Sequence, residues 1–86
     1  MTRAQEIRKE VLLQLKGAGE LGRPVERMVK DARNQGYDYT DTEVRDALYF
    51  LKGFGFVEQI EDAATNAKRH RITAPGIKHY EDTYAA

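Results

Sequence analysis

Apolar residues recur at a helical period near the start of the chain. In residues 3–16 they fall every three or four positions on one face, at Ala4, Ile7, Val11 and Leu15. That spacing predicts an amphipathic helix. Thr2, with Gln5 three residues later, forms a capping-box pattern that favours a helix start at this point. Gly17 and Gly19 then predict the end of the helix.

The same period predicts two further helices. Residues 24–35 carry an apolar stripe at Val25, Met28, Val29 and Ala32. Pro24 suits the first helical position, because an N–H there has no partner within the helix. Residues 41–52 carry a second stripe at Val44, Ala47, Leu48 and Leu51. Thr40 and Glu43 repeat the capping-box pattern before this third helix.

The pattern changes after the glycines that end the third helix. Residues 56–61 and 68–73 predict two strands, and the small and polar residues 62–67 between them predict a turn, so the pair forms a β-hairpin. Thr73 can cap a last short helix, whose inward residues are Ile77 and Tyr80. The order α-α-α-β-β-α predicts one mainly α domain with a small β-hairpin, of the α+β class, over residues 1–86.

Two segments carry a resemblance to a known family. Leu48-x-x-Leu51-x-x-x-Gly55-Phe56-Val57 and Arg71-Ile72-Thr73-Ala74-Pro75-Gly76-Ile77 resemble parts of the winged helix-turn-helix superfamily, in the form found in bacterial transcriptional regulators. The resemblance implies that helix 41–52 enters the DNA major groove and that the 56–73 hairpin is the wing. Many members have a short strand between the first two helices, for which Glu20-Leu21-Gly22 offers at most a stub. The implied function is transcription regulation through double-stranded DNA.

Helix 41–52 supplies the first set of candidate DNA contacts. The arc opposite its apolar stripe holds Thr42, Arg45, Tyr49 and Lys52. Arginine can bind guanine through two hydrogen bonds, while Thr and Tyr can contact phosphates or a thymine methyl group. Asp46 lies beside Arg45 on this arc, where it could hold Arg45 in place, accept a hydrogen bond from cytosine or repel phosphate.

The second helix and the hairpin supply the remaining cations. On helix 24–35 the outward face holds Arg27 and Lys30, and the hairpin holds Lys68, Arg69 and Arg71. A helix that precedes a recognition helix crosses the phosphate backbone, so phosphate contacts are expected for the first pair. The hairpin cations can instead pair with Glu58, Glu61 or Asp62 across the ribbon. His70 shares a strand face with Ile72 and is expected at the edge of the core.

The charge balance supports a second hypothesis. The formal net charge is zero, and residues 38–62 hold seven acidic residues against two basic ones. An acidic third helix favours a protein partner, so the alternative function is an interaction module that does not bind DNA. Such a module would act as an adaptor, of the kind that phages and mobile elements also encode.

Some apolar residues lie off the predicted buried stripes. Phe50 and Leu13 are of this kind, which suggests cover by the terminal helix or by a second copy of the chain. The resemblance implies a dimer formed by the first and last helices, with Leu13, Tyr80 and Tyr84 as candidate interface residues. Phe54, Phe56 and Tyr80 are expected in the core.

Catalysis is not expected. The chain has no serine and no cysteine to serve as a nucleophile, and its two histidines lack the spacing of a metal site, so no metal or cofactor is predicted. Gly17-Ala18-Gly19-Glu20-Leu21-Gly22 follows a helix rather than a strand, which excludes a dinucleotide loop. The absence of a long apolar run and of a signal-peptide pattern predicts a cytoplasmic protein without membrane contact.

Overall fold

Four α-helices and one β-hairpin make up the computed structural model, which describes residues 1–85. The helices are α1 (Arg3–Ala18), α2 (Val25–Asn34), α3 (Asp41–Gly53) and α4 (Ala74–Thr83), and the strands are β1 (Val57–Glu61) and β2 (Lys68–Ile72). A 3₁₀ turn (Gly19–Leu21) follows α1. This order confirms the predicted α-α-α-β-β-α architecture of the α+β class.

Both predicted capping boxes are present. The Thr2 hydroxyl accepts a hydrogen bond from the backbone N–H of Gln5, and the Gln5 side chain accepts one from the N–H of Thr2. Thr40 and Glu43 exchange the same pair of bonds at the start of α3. The prediction for Pro24 was wrong by one residue, because its backbone is extended and it precedes the first helical position.

Helix α1 packs against α3 and α4 around one apolar core. Leu12 and Leu15 of α1 are fully buried in it. The apolar stripes predicted for the second and third helices also lie in or against this core, with Val57 of β1 closing one side. Tyr39, in the connection between α2 and α3, is buried as well. The period of the stripes therefore identified the packed faces, except that Ala4, at the start of the predicted stripe of α1, is exposed.

A short segment before α2 pairs with the hairpin. The backbone N–H of Arg23 donates to the carbonyl of His70 at 2.8 Å, and the N–H of His70 donates to the carbonyl of Arg23 at 2.9 Å. The paired residue is therefore Arg23, one position after the stub that the sequence allowed at Glu20-Leu21-Gly22. Gly19–Leu21 forms the 3₁₀ turn instead. The pairing fixes β2 against the start of α2.

Thr73 and Gly76 determine how β2 connects to α4. The Thr73 hydroxyl donates to the carbonyl of Gly55 at 2.6 Å and accepts from the N–H of Gly76 at 3.1 Å, so it joins both ends of the hairpin to α4. A Cβ on Gly76 would lie 2.0 Å from the carbonyl oxygen of Phe56. Only glycine allows α4 to begin this close to β1.

One expected core residue is exposed. Phe54 was predicted in the core, but it is 62% exposed, because α3 continues through Gly53 and leaves Phe54 as the residue after its last turn. Its ring lies between those of Phe50 and Phe56, at centroid distances of 5.0 and 5.7 Å. Phe56 is half-buried, and Tyr80 lies in the core as expected.

Candidate nucleic-acid interface

A groove of about 480 Å³ lies between α3, the start of α2 and the hairpin. Strand register determines which hairpin side chains face it. Gln59 is opposite His70 and Glu61 is opposite Lys68, and these pairs lie on the same face of the ribbon as the core pair Val57–Ile72. Gln59, Lys68 and His70 line the groove, together with Asn66 from the hairpin turn.

Helix α3 forms the opposite wall. Arg45, Tyr49 and Lys52 all line the groove, as expected for the outward arc of this helix, and Leu48 lies beneath them. Tyr49 is 83% exposed, so its hydroxyl is available for contacts. Thr42 is exposed in the first turn of α3, but it does not line the groove.

The cations of α3 differ in whether they are paired. Arg45 donates from Nε to Asp41 Oδ2 at 2.6 Å, one helical turn back, and this hydrogen bond raises the pKa of the Arg45 guanidinium. Lys52 forms no ion pair within residues 1–85, and the same holds for Lys68 on the hairpin. Among the described residues, the groove is lined by three cations, of which Arg45 is paired with Asp41, and by one carboxylate, that of Glu26.

Arg69 and Arg71 occupy the other face of the hairpin. They are opposite Ile60 and Glu58 in the strand register. Arg69 pairs with Asp62 at 2.8 Å, and Arg71 pairs with Glu58. The cross-ribbon ion pairs allowed by the sequence are therefore formed, and Lys68 is the one predicted hairpin cation that faces α3.

The basic face of α2 is partly neutralised. Arg27 pairs with Asp31 at 3.1 Å, and Asp31 also accepts from Arg23 at 2.7 Å. Lys30 is exposed and forms no ion pair in the described part of the chain. Neither Arg27 nor Lys30 lines the groove, so the structure does not bring them together with the cations of α3.

His70 is a groove residue that the sequence placed only at the edge of the core. It is half-buried, and burial lowers the pKa of its imidazole, with smaller contributions from Lys52 and Arg45. Its Nδ1 atom has no hydrogen-bond partner among the described residues. The two-residue period of β2 could have found it, because that period places His70 on the same face as Lys68.

The three candidate interface residues have different environments. Leu13 is 45% exposed on α1, whereas Tyr84 is half-buried after α4. Tyr80 belongs to the core of the monomer, where the Lys16 ammonium lies 5.3 Å from its ring centroid. Tyr80 therefore has little surface left for contact with a second copy of the chain.

Residues 1–85 hold neither a metal-type side-chain cluster nor a membrane-spanning helix. No group of three or more His, Asp or Glu side chains there could hold a metal ion. None of the helices there has both the length and the apolar character needed to cross a membrane. The chain was also compared with known proteins, and neither a protein-family model nor a curated protein sequence matches it.

Proposed function

We propose that this protein binds double-stranded DNA as a winged-helix module, with α3 in the major groove and the hairpin as the wing. The observation that carries the proposal is the placement of Lys52 and Lys68. They lie on opposite walls of one groove and are free of ion pairs within residues 1–85. Cations of this kind neutralise phosphates and release bound counterions, which drives association with DNA.

The zero net charge is compatible with this proposal. Most cations outside the groove are held by acids of the same chain, for example Arg69 by Asp62 and Arg71 by Glu58. The opposite charges within each pair cancel at a distance from the pair, and salt screens what remains of their field. The groove keeps an excess of positive charge, and local potential rather than net charge attracts the phosphate backbone.

Sequence selectivity would come from α3. Arg45 and Tyr49 are exposed on the wall of the groove, where side chains of a helix in the major groove reach base edges. Arginine recognises guanine through O6 and N7. A compact module that reads DNA in this way would act as a transcriptional regulator.

The test is binding of duplex DNA to wild type and to the double variant Lys52→Gln, Lys68→Gln, measured by fluorescence anisotropy over a range of salt. We expect the double variant to bind more weakly. Its slope of log affinity against log salt should be less steep by about 1.8, which is twice the value per phosphate.

The matched control is Arg69→Gln, Arg71→Gln, which removes the same charge from the other face of the hairpin. We expect a much smaller change in slope for this control. Equal slopes in the two double variants would place the DNA elsewhere, and the absence of binding by wild type at low salt would end the proposal. Thermal unfolding of each variant verifies that it is folded.

A second candidate function, binding of a protein partner, is favoured by two exposed rings at the end of α3. Phe54 and Phe50 are both exposed, and the Arg8 guanidinium carbon lies 3.5 Å from the Phe50 ring centroid. Exposed aromatic side chains of this kind are common anchors in protein interfaces. If the protein has this function, a pull-down with wild type retains protein partners after nuclease treatment, and Phe54→Ser loses them. Wild type then does not bind DNA.

A further inference from the structure

A recess of about 170 Å³ lies between the N-terminal halves of α1 and α3. Its apolar lining residues are Ala4 and Ile7 of α1 and Ala47 of α3. An apolar cavity of about 150 Å³ can hold one benzene ring, so the recess has the volume for a single phenyl side chain. It shares no lining residue with the groove between α3 and the hairpin.

Phe54 presents a phenyl ring on the same side of α3. The ring is 62% exposed and lies 5.0 Å from the Phe50 ring, centroid to centroid. Phe50 in turn contacts Arg8, whose guanidinium carbon lies 3.5 Å from the centroid of its ring. Because Arg8 also lines the recess, this series of contacts places the exposed ring and the recess on the face of α3 that is turned toward α1.

The spacing of ring and recess along α3 suits a two-fold contact. Ala47 and Phe54 are seven positions apart in the chain, which corresponds to about 10 Å along a helix. Phe50 lies between them. When two α3 helices pack antiparallel about a two-fold axis beside Phe50, each Phe54 comes opposite the Ala47 of the other copy. One face then carries both the ring and its recess, which is the self-complementarity that a two-fold contact requires.

The charges at the recess favour a second copy over a purely acidic or purely basic partner. Arg3 and Glu43 line the recess, but they bind each other at 2.7 Å. Arg8 and Asp46 also line it, and they form no ion pair within residues 1–85. A partner of one sign would leave either this guanidinium or this carboxylate without an opposite charge. A second copy supplies a carboxylate for Arg8 and a guanidinium for Asp46.

We propose that two copies of this chain associate about a two-fold axis, with Phe54 of each copy inserted into the recess of the other. Arg8 of each copy then pairs with Asp46 across the interface. Burial of the two rings drives the association, and the two exchanged ion pairs fix the antiparallel register. The partner that the exposed rings of α3 bind is therefore the chain itself.

This interface differs from the one that the first and last helices would form, since neither Leu13 nor Tyr80 belongs to it. It also lies away from the candidate nucleic-acid interface, because Arg45, Tyr49 and Lys52 line the groove on the hairpin side of α3. The association therefore does not depend on the proposed DNA binding, and it is tested without DNA.

The first test is sedimentation equilibrium of the full chain over a range of concentrations. We expect a monomer–dimer equilibrium for wild type. Phe54→Ser should raise the dissociation constant at least about a hundredfold, because each dimer loses two buried rings. Leu21→Ser is the control, because Leu21 is 74% exposed and lines neither recess nor groove. A wild type that stays monomeric up to about 1 mM, or that grows beyond a dimer, would overturn the proposal. Equal dissociation constants in Phe54→Ser and wild type would do the same.

The second test exchanges the charges at the interface. Arg8→Glu and Asp46→Arg each place like charges opposite one another, so each variant alone should dimerise at least about tenfold more weakly than wild type. An equimolar mixture should recover dimers, because the introduced carboxylate of one variant faces the introduced guanidinium of the other, and the native pair remains at the second contact. Mixing cannot relieve repulsion within one chain. Unchanged association of either variant alone, or no recovery in a mixture of variants with wild-type amide dispersion, would refute the two-fold arrangement.

Discussion

Arg23 and His70 exchange two backbone hydrogen bonds, of 2.8 and 2.9 Å, across a gap of 47 positions in the chain. This pairing holds β2 beside the start of α2. The His70 side chain lines the groove on the same strand, so the pairing also fixes that wall of the groove relative to the start of α2. The geometry of the candidate interface thus depends on a backbone contact rather than on side-chain packing alone.

Substitution of Gly22 tests this contact. Gly22 has φ +67°, and a Cβ there would lie 2.3 Å from the His70 carbonyl oxygen. Gly22→Ala should lower the free energy of unfolding by more than the ~1–3 kcal/mol of backbone strain alone. Gly19→Ala is the control, because Gly19 has φ +63° and open space around its Cβ position. Urea unfolding of both variants separates strain from close contact, and equal losses would contradict a tight Arg23–His70 pairing.

Loss of the ion pair between Asp41 and Arg45 should tighten the binding of DNA. Asp41 holds the Arg45 guanidinium at 2.6 Å, so a phosphate or base must compete with it. Asp41→Asn should strengthen binding to duplex DNA by about two- to fivefold, the range set by an exposed ion pair of ~0.5–1 kcal/mol.

Asp38→Asn is the control for this change. It removes the same charge from a residue that pairs with Arg3 and does not line the groove. Anisotropy titrations at one salt concentration compare the two variants with wild type. If both variants bind more tightly by the same factor, the effect comes from net charge, and Arg45 is not at the interface.

The elements of the fold could be predicted from local chemistry. Each capping box lies within four residues, and so does the contact of Thr73 with Gly76 that starts α4. Helical and strand periods then identify the packed faces, because they depend only on the spacing of neighbouring apolar residues.

Features that depend on distant residues could not be predicted in the same way. The pairing of Arg69 and Arg71 with acids of the hairpin follows from strand register, which the sequence leaves open among several acids. Phe54 is exposed because α3 keeps Gly53 helical, against the expectation that glycine ends it earlier. The buried position of Glu10 results from packing of α1 against the α2–α3 connection, which no local pattern signals.

The titration of His70 predicts a pH dependence of DNA binding. The pKa of its imidazole is lowered by burial and by Lys52 and Arg45, so the charged form of His70 is disfavoured in the free protein. Lys68 adds positive charge to the same groove, and within residues 1–85 Glu26 is the one carboxylate that lines it. A phosphate brought into the groove raises the pKa of His70, so binding takes up a proton. Affinity should therefore increase as the pH falls through the range in which His70 takes up its proton.

His70→Gln removes this titrating group and should remove the added affinity at acid pH. His79→Gln is the control, because His79 stacks on Phe56 at a centroid distance of 4.2 Å and lies outside the groove. Anisotropy titrations on either side of the imidazole pKa compare the variants. If the pH dependence survives in His70→Gln but disappears in His79→Gln, the proton is taken up by His79, and the role given to His70 is wrong.

The link between Arg3 and Glu43 predicts how stability changes in acid. Arg3 donates to both carboxylate oxygens of Glu43, at 2.7 and 3.1 Å, and joins the first turns of α1 and α3. These bonds, with those from Thr40, lower the pKa of Glu43 from 4.5 to about 2. A carboxylate with a lowered pKa stabilises the folded state above its unfolded pKa, and this stabilisation is lost as the pH falls through the folded value.

Arg3→Gln should therefore lower the Tm near neutral pH, and its difference from wild type should disappear as the pH approaches 2. The physical reason is that a protonated Glu43 no longer gains from the guanidinium, so both proteins then lack the same interaction. Arg33→Gln is the control, because Arg33 is exposed in α2 and forms no ion pair within residues 1–85. Its Tm should follow that of wild type across the range. A Tm difference for Arg3→Gln that stays constant with pH would show that Arg3 acts through contacts that do not titrate, with the Tyr39 ring or the Asp38 backbone carbonyl, rather than through Glu43.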